Sequence, residues 1–335
     1  MHERRYRFGT VDLVLSTESA AVDAAVRGLF RHLGVPTAEG PPAPSRVTLE
    51  LAVGTDGLDV PAGAREVERT SDHVRVWEAG RLTVLSAEAG GGRSVVCYDP
   101  DGGRGWGRLH PGLLDDPREV WWRFFIFLVS GLFILLRPHR LYALHAAALG
   151  RGDGGLLLVA DSDCGKSTLA YSLVREGWSF LSDDTVVLSA GGAAIGALPF
   201  RRHFGLDMVA GQFFPELRDT PHLPLAEEDK WVVDVGRQFP GRVAERLRPR
   251  VLVFPQIVDA DESRVEPVRP SDAHHHLIRQ STLPYWRAGA AKEHLAALAR
   301  LVGQTRHYRF LGGRDVVRCP ARASGLLAPL LDAHA

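Results

Sequence analysis

The chain reads as an α/β protein: a phosphate-loop α/β region preceded by a smaller α+β region. Three observations predict this. Leu156–Val159 is apolar on both faces, as in the middle of a covered sheet, and leads through Ala160–Ser167 into a helical pattern. A second strand, Trp178–Ser182, runs straight into Asp183-Asp184. Before residue 112, short alternating runs are separated by Gly- and Asp-rich turns, the pattern of an antiparallel meander. At roughly 100–200 residues per domain, 335 residues make about two domains. We expect an α+β region over 1–112 with a substrate-docking role, a buried connecting helix over 113–140, and the catalytic region over 141–335.

Residues 5–15 predict a strand, and 17–33 a helix opened by Thr17 or Ser16. Val35–Ser45 carries four prolines and is a loop. Val47–Val53, His73–Glu78 with Arg81–Ser86, and Ser94–Tyr98 supply the meander. Asp116 and Pro117 look like an N-cap and first helical residue, opening a helix over about 117–136. Its core, Phe124–Leu136, has thirteen residues, short of the ~20 that a membrane span needs, and is apolar all round, which predicts burial within protein. His145–Leu149 is a short apolar run, and Gly150–Gly155 is a turn. The helix after the loop should stop at Gly177, and 289–302 should form an ordinary amphipathic helix.

The segment Ala160-Asp161-Ser162-Asp163-Cys164-Gly165-Lys166-Ser167-Thr168 is a Walker A loop with alanine where the first glycine normally sits. Backbone amides of such a loop, at the positive end of the next helix, cradle phosphate. Lys166 would reach the β- and γ-phosphates, and the Ser167 hydroxyl suits Mg²⁺. Asp183 and Asp184 read either as a solvated turn or as a metal ligand and a base, provided that their strand neighbours the loop strand in a parallel sheet. Alone, His145 reads as a core residue. Arg201, Arg202 and Lys230 are candidates for γ-phosphate stabilisation, and Lys230 is one of only three lysines. Cys164 reads as a small filler or an oxidation point, and His274-His275-His276 as a surface run.

From His145 to Asp184 the chain resembles the HPr kinase/phosphorylase family, whose P-loop fold is shared with phosphoenolpyruvate carboxykinase. In that family a His precedes the loop by fifteen residues, and an Asp-Asp pair follows the lysine by seventeen; both spacings hold here, from His145 to Ala160 and from Lys166 to Asp183. Leu-His-Ala-Ala before the loop and Ser-Asp-Asp after it are similar to HPr-kinase-like peptide serine kinases of natural-product (RiPP, lasso-peptide) gene clusters. The resemblance implies an ATP-dependent kinase acting on a serine hydroxyl of a precursor peptide or small protein, with ATP and Mg²⁺ as cofactors. It implies Lys166 and the loop amides on the phosphates, Ser167 and Asp184 on the metal, Asp183 as base, and His145 beneath the site. A kinase for a free small-molecule hydroxyl and a catalytically weakened regulatory protein are the alternatives. The chain departs from the family in three ways. Ala160 and Asp163 replace loop glycines; alanine does not readily take positive φ, and Asp163 puts a negative charge beside phosphate. The family's Glu-x-Arg-Gly survives at most as Pro199-Phe200-Arg201-Arg202, which removes a carboxylate and argues against reverse phosphorylase activity.

Forty basic residues balance forty acidic ones, which argues against general nucleic-acid or acidic-membrane binding. Three scattered cysteines make neither a disulfide framework nor a zinc cluster and suit a reducing, cytoplasmic setting. Nothing in the sequence excludes a homo-oligomer.

Overall fold

The structure is a computed structural model that describes all residues except 57, 70–73, 117–119, 163, 221, 226–227, 282–286 and 333–335. The chain divides into two compact units, Met1–Leu141 and Tyr142–Ala335.

The first unit is built on one eight-stranded sheet. Its strands are β1 (His2–Phe8), β2 (Val11–Thr17), β3 (Ser45–Val53), β4 (Arg65–Arg69), β5 (Arg75–Ala79), β6 (Leu82–Ala89), β7 (Gly92–Asp99) and β8 (Arg104–Leu109), in spatial order β1-β2-β3-β8-β7-β6-β5-β4. The expected single strand over 5–15 is therefore a hairpin that turns at Gly9-Thr10, pairing Phe8 with Val11. Helix α1 (Ala20–His32) opens later than expected, because Ser16 and Thr17 still belong to β2. Its cap is Ser19, whose Oγ accepts the Val22 amide at 3.3 Å. As a crossover, α1 makes β2 and β3 parallel neighbours; β3 and β8 are parallel too, and β4 to β8 form the antiparallel meander. Val22, Val26, Leu29 and Phe30 of α1 are buried, and Phe30 stacks on Tyr6 at 3.8 Å. After a π-helical turn over Val120–Phe124 comes α2 (Phe125–Leu136), whose Phe127 carbonyl accepts the buried Tyr98 hydroxyl at 2.5 Å. Eight of its twelve residues are buried. His73 and Pro117 lie outside the described residues.

The second unit centres on a six-stranded sheet ordered β12-β10-β11-β18-β20-β19. After β9 (Leu141–His145) come β10 (Ala147–Arg151), β11 (Gly154–Leu158) and β12 (Ser179–Ser182), then β13 (Thr185–Ser189) and β14 (Gly196–Pro199), which pair with β9 in a three-stranded sheet. A third sheet holds β15 (His203–Asp207), β16 (His222–Leu225) and β17 (Glu228–Asp234); the large sheet is completed by β18 (Pro249–Ile257), β19 (Arg264–Pro267) and β20 (Arg306–Gly312). Four helices dress it: α3 (Lys166–Arg175), α4 (Pro270–Arg279), α5 (Ala288–Gln304) and α6 (Ala321–Asp332). The two-residue strand period separates two cores. Leu156, Leu158, Val251 and Val253 face α3 and α6, whereas Leu157, Val159, Leu252 and Phe254 face α4 and α5. That is why Leu156–Val159 is apolar on both faces. The architecture is mixed α/β with several sheets. No helix among the described residues is long and apolar enough to cross a membrane.

Candidate active site

The loop strand β11 and the Asp-Asp strand β12 are not neighbours, so the condition set on the functional reading of Asp183-Asp184 is not met as stated. A tight turn folds β10 back along β11, so β10 fills the place between them and is antiparallel to both. The convergence survives for that reason. The C-terminal ends of β11 and β12 and the N-terminal start of β10 share one edge of the sheet. The loop, Asp183-Asp184 and His145 lie at those three ends. Backbone hydrogen bonds stitch them: the Ala146 amide donates to the Asp184 carbonyl at 3.1 Å, and the His145 amide to the Gln280 carbonyl at 2.8 Å.

The loop turns into α3 at Gly165, whose φ of 75° lies in the left-handed region. Among the described residues only Arg140 and Asp184 take positive φ with a side chain, so alanine at 160 meets no backbone conflict. Asp161 is drawn outward: its carboxylate accepts the amide of Gln280 and, at 3.4 Å, a guanidinium N–H of Arg279. Ser162 is exposed, Cys164 is half-buried and a free thiol, and Asp163 lies outside the described residues.

Lys166 and Ser167, the first two residues of α3, each touch one of the converging ends. Lys166 is buried, and its Nζ lies 2.6 Å from His145 Nε2. An ammonium can only donate, so Nε2 accepts and the ring proton sits on Nδ1, 3.4 Å from Asp184 Oδ1. Burial, with Lys166 beside it, holds His145 below its usual range and therefore neutral. Burial also lowers Lys166, against the opposing pull of Asp184 and Asp183. The Ser167 hydroxyl donates to Asp183 Oδ1 at 3.0 Å.

The two aspartates are turned apart by the backbone. The Thr185 amide donates to the Asp183 carbonyl at 2.7 Å around Asp184, whose φ is 64°: a strained, positive-φ γ-turn. Asp183 points inward and is 1% exposed, and burial pushes its carboxyl above the ordinary range. The Asp184 side chain is 42% exposed, with Arg201 at 3.4 Å; desolvation opposes ionisation, but the charges of Arg201 and Lys166 outweigh it and hold the carboxyl low. Of the expected metal pair, Ser167 thus contacts Asp183, while Asp184 is engaged by His145 and Arg201.

Ser182 enters the sequence reading only as a strand end and as part of Ser-Asp-Asp, with no role of its own. Its buried hydroxyl accepts the amides of Phe200 (3.0 Å) and Arg201 (2.9 Å) and contacts the Thr185 carbonyl at 2.6 Å, which fixes the segment that carries Arg201. Arg201 Nε is buried with no hydrogen-bond partner among the described residues. Arg202 turns the other way and forms a two-pronged ion pair with Glu245, so the structure removes it from the site. Lys230 reaches toward Arg201 from β17. A Cβ placed on Gly205 would lie 2.7 Å from an Arg201 terminal nitrogen and 3.9 Å from Lys230 Cδ, so the two side chains cover the same glycine. The three histidines occupy α4, where His276 stacks on Phe254 at 4.7 Å. Among the described residues no three His, Cys, Asp or Glu side chains gather as a metal cage.

These groups fit a phosphorylated, Mg²⁺-accompanied ligand. The orphan Nε of Arg201 suits an anion, the oxygens of Ser167 and the aspartates are the hard donors that Mg²⁺ prefers, and their small number matches an ion that keeps waters and phosphate oxygens.

No family model matches the chain, and no curated protein matches it. Among solved structures it is similar to the Hpr(Ser) kinase/phosphatase from Coxiella burnetii, with 14% identity and a TM-score of 0.27, covering 48% of this chain and 90% of that one.

Proposed function

We propose that the protein is an ATP-dependent kinase that moves the γ-phosphoryl group to a hydroxyl, with the second unit as its catalytic part. The observation that carries this reading is the paired contact at the start of α3: Lys166 on His145 and Ser167 on Asp183. Phosphoryl transfer asks a protein mainly for positioning and for fixed charge where negative charge develops. Lys166 and Arg201 supply the positive charge, and the loop amides orient the phosphates. Bound Mg²⁺ would neutralise phosphate oxygens, with Ser167 and one aspartate as its protein ligands. His145 holds Lys166 through Nε2 and so sets where the ammonium sits. Asp183, its carboxyl raised by burial, is suited to accept the acceptor's proton, since a base works best with a pKa near the operating pH.

The resemblance over residues 145–184 guides the acceptor class toward a serine of a precursor peptide or small protein. The test is transfer from labelled ATP with Mg²⁺ to such peptides, run beside Lys166→Ala and Asp183→Asn. Both variants should lose transfer; activity surviving in both would overturn the mechanism. Transfer to free amino acids or sugars but not to peptides would move the acceptor class. Nucleotide binding without any transfer would leave a regulatory role.

The contact from Ser167 to Asp183 supports a second assignment within the same reaction: Asp183 shares the metal with Ser167, and the more open Asp184 faces the acceptor. Mg²⁺ titration separates the two. The aspartate on the metal, when changed to Asn, raises the Mg²⁺ concentration needed for half-maximal nucleotide binding; the other leaves it unchanged.

A further inference from the structure

We propose that an apolar cavity on the far flank of α3 is the nucleobase site of the phosphate donor, a proposal that rests on the nucleotide reading above. The first turn of α3 has two differently furnished sides. Ser167 reaches Asp183 on one. Thr168, with Leu169 and Ser172, lines a cavity of about 300 Å³ on the other, together with Cys164 and Gly165 of the loop itself. Successive helical residues point about 100° apart, so one turn can serve both sides. A donor with phosphates on the loop and its transferable end toward Asp183 must carry its other end along the Thr168 side.

The cavity suits a flat heteroaromatic ring. The rings of Phe213, Phe214 and Phe310 are among its walls, and such largely apolar, partly enclosed hollows are typical of small-ligand sites. Its mouth is apolar as well. Val209, Ile257 and Val317, which are 56%, 68% and 50% exposed, line the cavity, and they are three of the five large hydrophobic residues left exposed among the described residues. Asp207 is the one charged residue of the lining among the described residues. A carboxylate there repels phosphate and can accept an exocyclic amino N–H of an adenine, so it favours the base over the phosphates in the cavity. An apolar side chain of the acceptor is the poorer occupant, because the acceptor hydroxyl must meet the carboxylates on the opposite flank.

The experiment is calorimetry in Mg²⁺ buffer with ATP and with inorganic tripolyphosphate. It uses the unaltered protein, Lys166→Ala, and the triple variant Val209→Asn, Ile257→Asn, Val317→Asn, whose sites are solvent-facing and whose changes add no charge. We expect ATP to bind at least about tenfold more tightly than tripolyphosphate to the unaltered protein. The triple variant should erase that advantage and leave tripolyphosphate binding unchanged. Equal binding of the two ligands, with Lys166→Ala losing both, would overturn the base site while leaving the phosphate site standing. Failure of the unaltered protein to bind either ligand would overturn both. A triple variant that keeps the ATP advantage, or that weakens both ligands alike, would also overturn the base site. Photolabelling with 8-azido-ATP gives a readout free of substitutions: adducts should fall within 207–214 or 310–317, and labelling elsewhere counts against the site.

Discussion

Asp12 and Asp23 in the first unit and Asp183 in the second are all shielded from solvent, yet they are held in opposite ways. Asp12 meets Arg7 at 2.8 Å and 3.1 Å and accepts the Ala43 amide at 2.7 Å. Asp23 meets Arg4 at 2.8 Å and 3.0 Å, with Arg27 at 3.2 Å. The Arg7 and Arg4 hydrogen bonds hold both carboxyls low. Asp183 has the Ser167 hydroxyl but no ion pair of its own among the described residues, and burial drives its carboxyl up. The first unit pairs these shielded charges. The second unit leaves Asp183 underpaired, at a cost to stability, which is the pattern expected of a group proposed to receive a proton or a cation.

The largest effect that tests this contrast is on activity. Lys166→Ala should lower phosphoryl transfer by about 10⁴-fold, the scale of removing a cation that stabilises the transferring group. Asp23→Asn, by contrast, should leave the rate unchanged and lower the unfolding midpoint; steady-state assays and thermal melts check both. Asp183→Asn should cost about 10³-fold in rate. It should also raise the midpoint, by about 2–4 °C for each kcal/mol of relieved desolvation. A lowered midpoint in that variant would break the comparison.

Gly131→Leu should damage the first unit alone. A Cβ there would lie 2.0 Å from the buried Tyr98 ring, and overpacking of this kind costs about 1–3 kcal/mol, read as an early transition in denaturant melts.

The pH dependence has opposite signs in the two units. Asp183 titrates higher when folded, so native protein holds the extra proton and stability falls as pH rises through the raised value; the advantage of Asp183→Asn exists above that pH and fades below it. Asp23 titrates lower when folded, so the penalty of Asp23→Asn is full above the ordinary Asp range and fades only as pH falls through the lowered value. Melts of the three proteins from neutral to acid pH give both signs. The smallest effect is Gly205→Ala, which should cost about tenfold in rate by nudging Arg201, with little change in stability because the displaced atom ends a flexible chain.

The heart of the site was legible because its chemistry is local. Gly-Lys-Ser between a doubly apolar strand and a helix needs few long-range contacts to be recognised, and α3 ends near Gly177 as read. What escaped came from contacts between distant segments. The lodging of β10 between β11 and β12, the grip of Ser182 on the Arg201 segment, and the tether from Gln280 to Asp161 leave no periodic trace. Arg201 and Arg202 are adjacent and alike in sequence, and partners distant from them in the chain tell them apart, Asp184 for the first and Glu245 for the second. In the first unit, β4 (Arg-Glu-Val-Glu-Arg) and β8 (Arg-Gly-Trp-Gly-Arg-Leu) were missed because charge and glycine mask the two-residue alternation.

The hairpin of β10 and β11 gives the fifteen-residue interval before the loop a geometric meaning. Ala147 pairs with Leu158 and Arg151 with Gly154, so His145 and Ala160 each lie two residues beyond the last pair of the hairpin. The interval is a perimeter, out along one strand and back along the other. Lengthening both arms by one residue adds two to the count and leaves the histidine facing the loop, whereas a one-residue insertion in either arm slips the register and turns every side chain beyond it to the opposite face. Diverged sequences that keep this histidine in place should therefore differ from fifteen by even steps. A search that admits thirteen or seventeen and rejects fourteen and sixteen would recover cousins that a fixed-gap pattern discards.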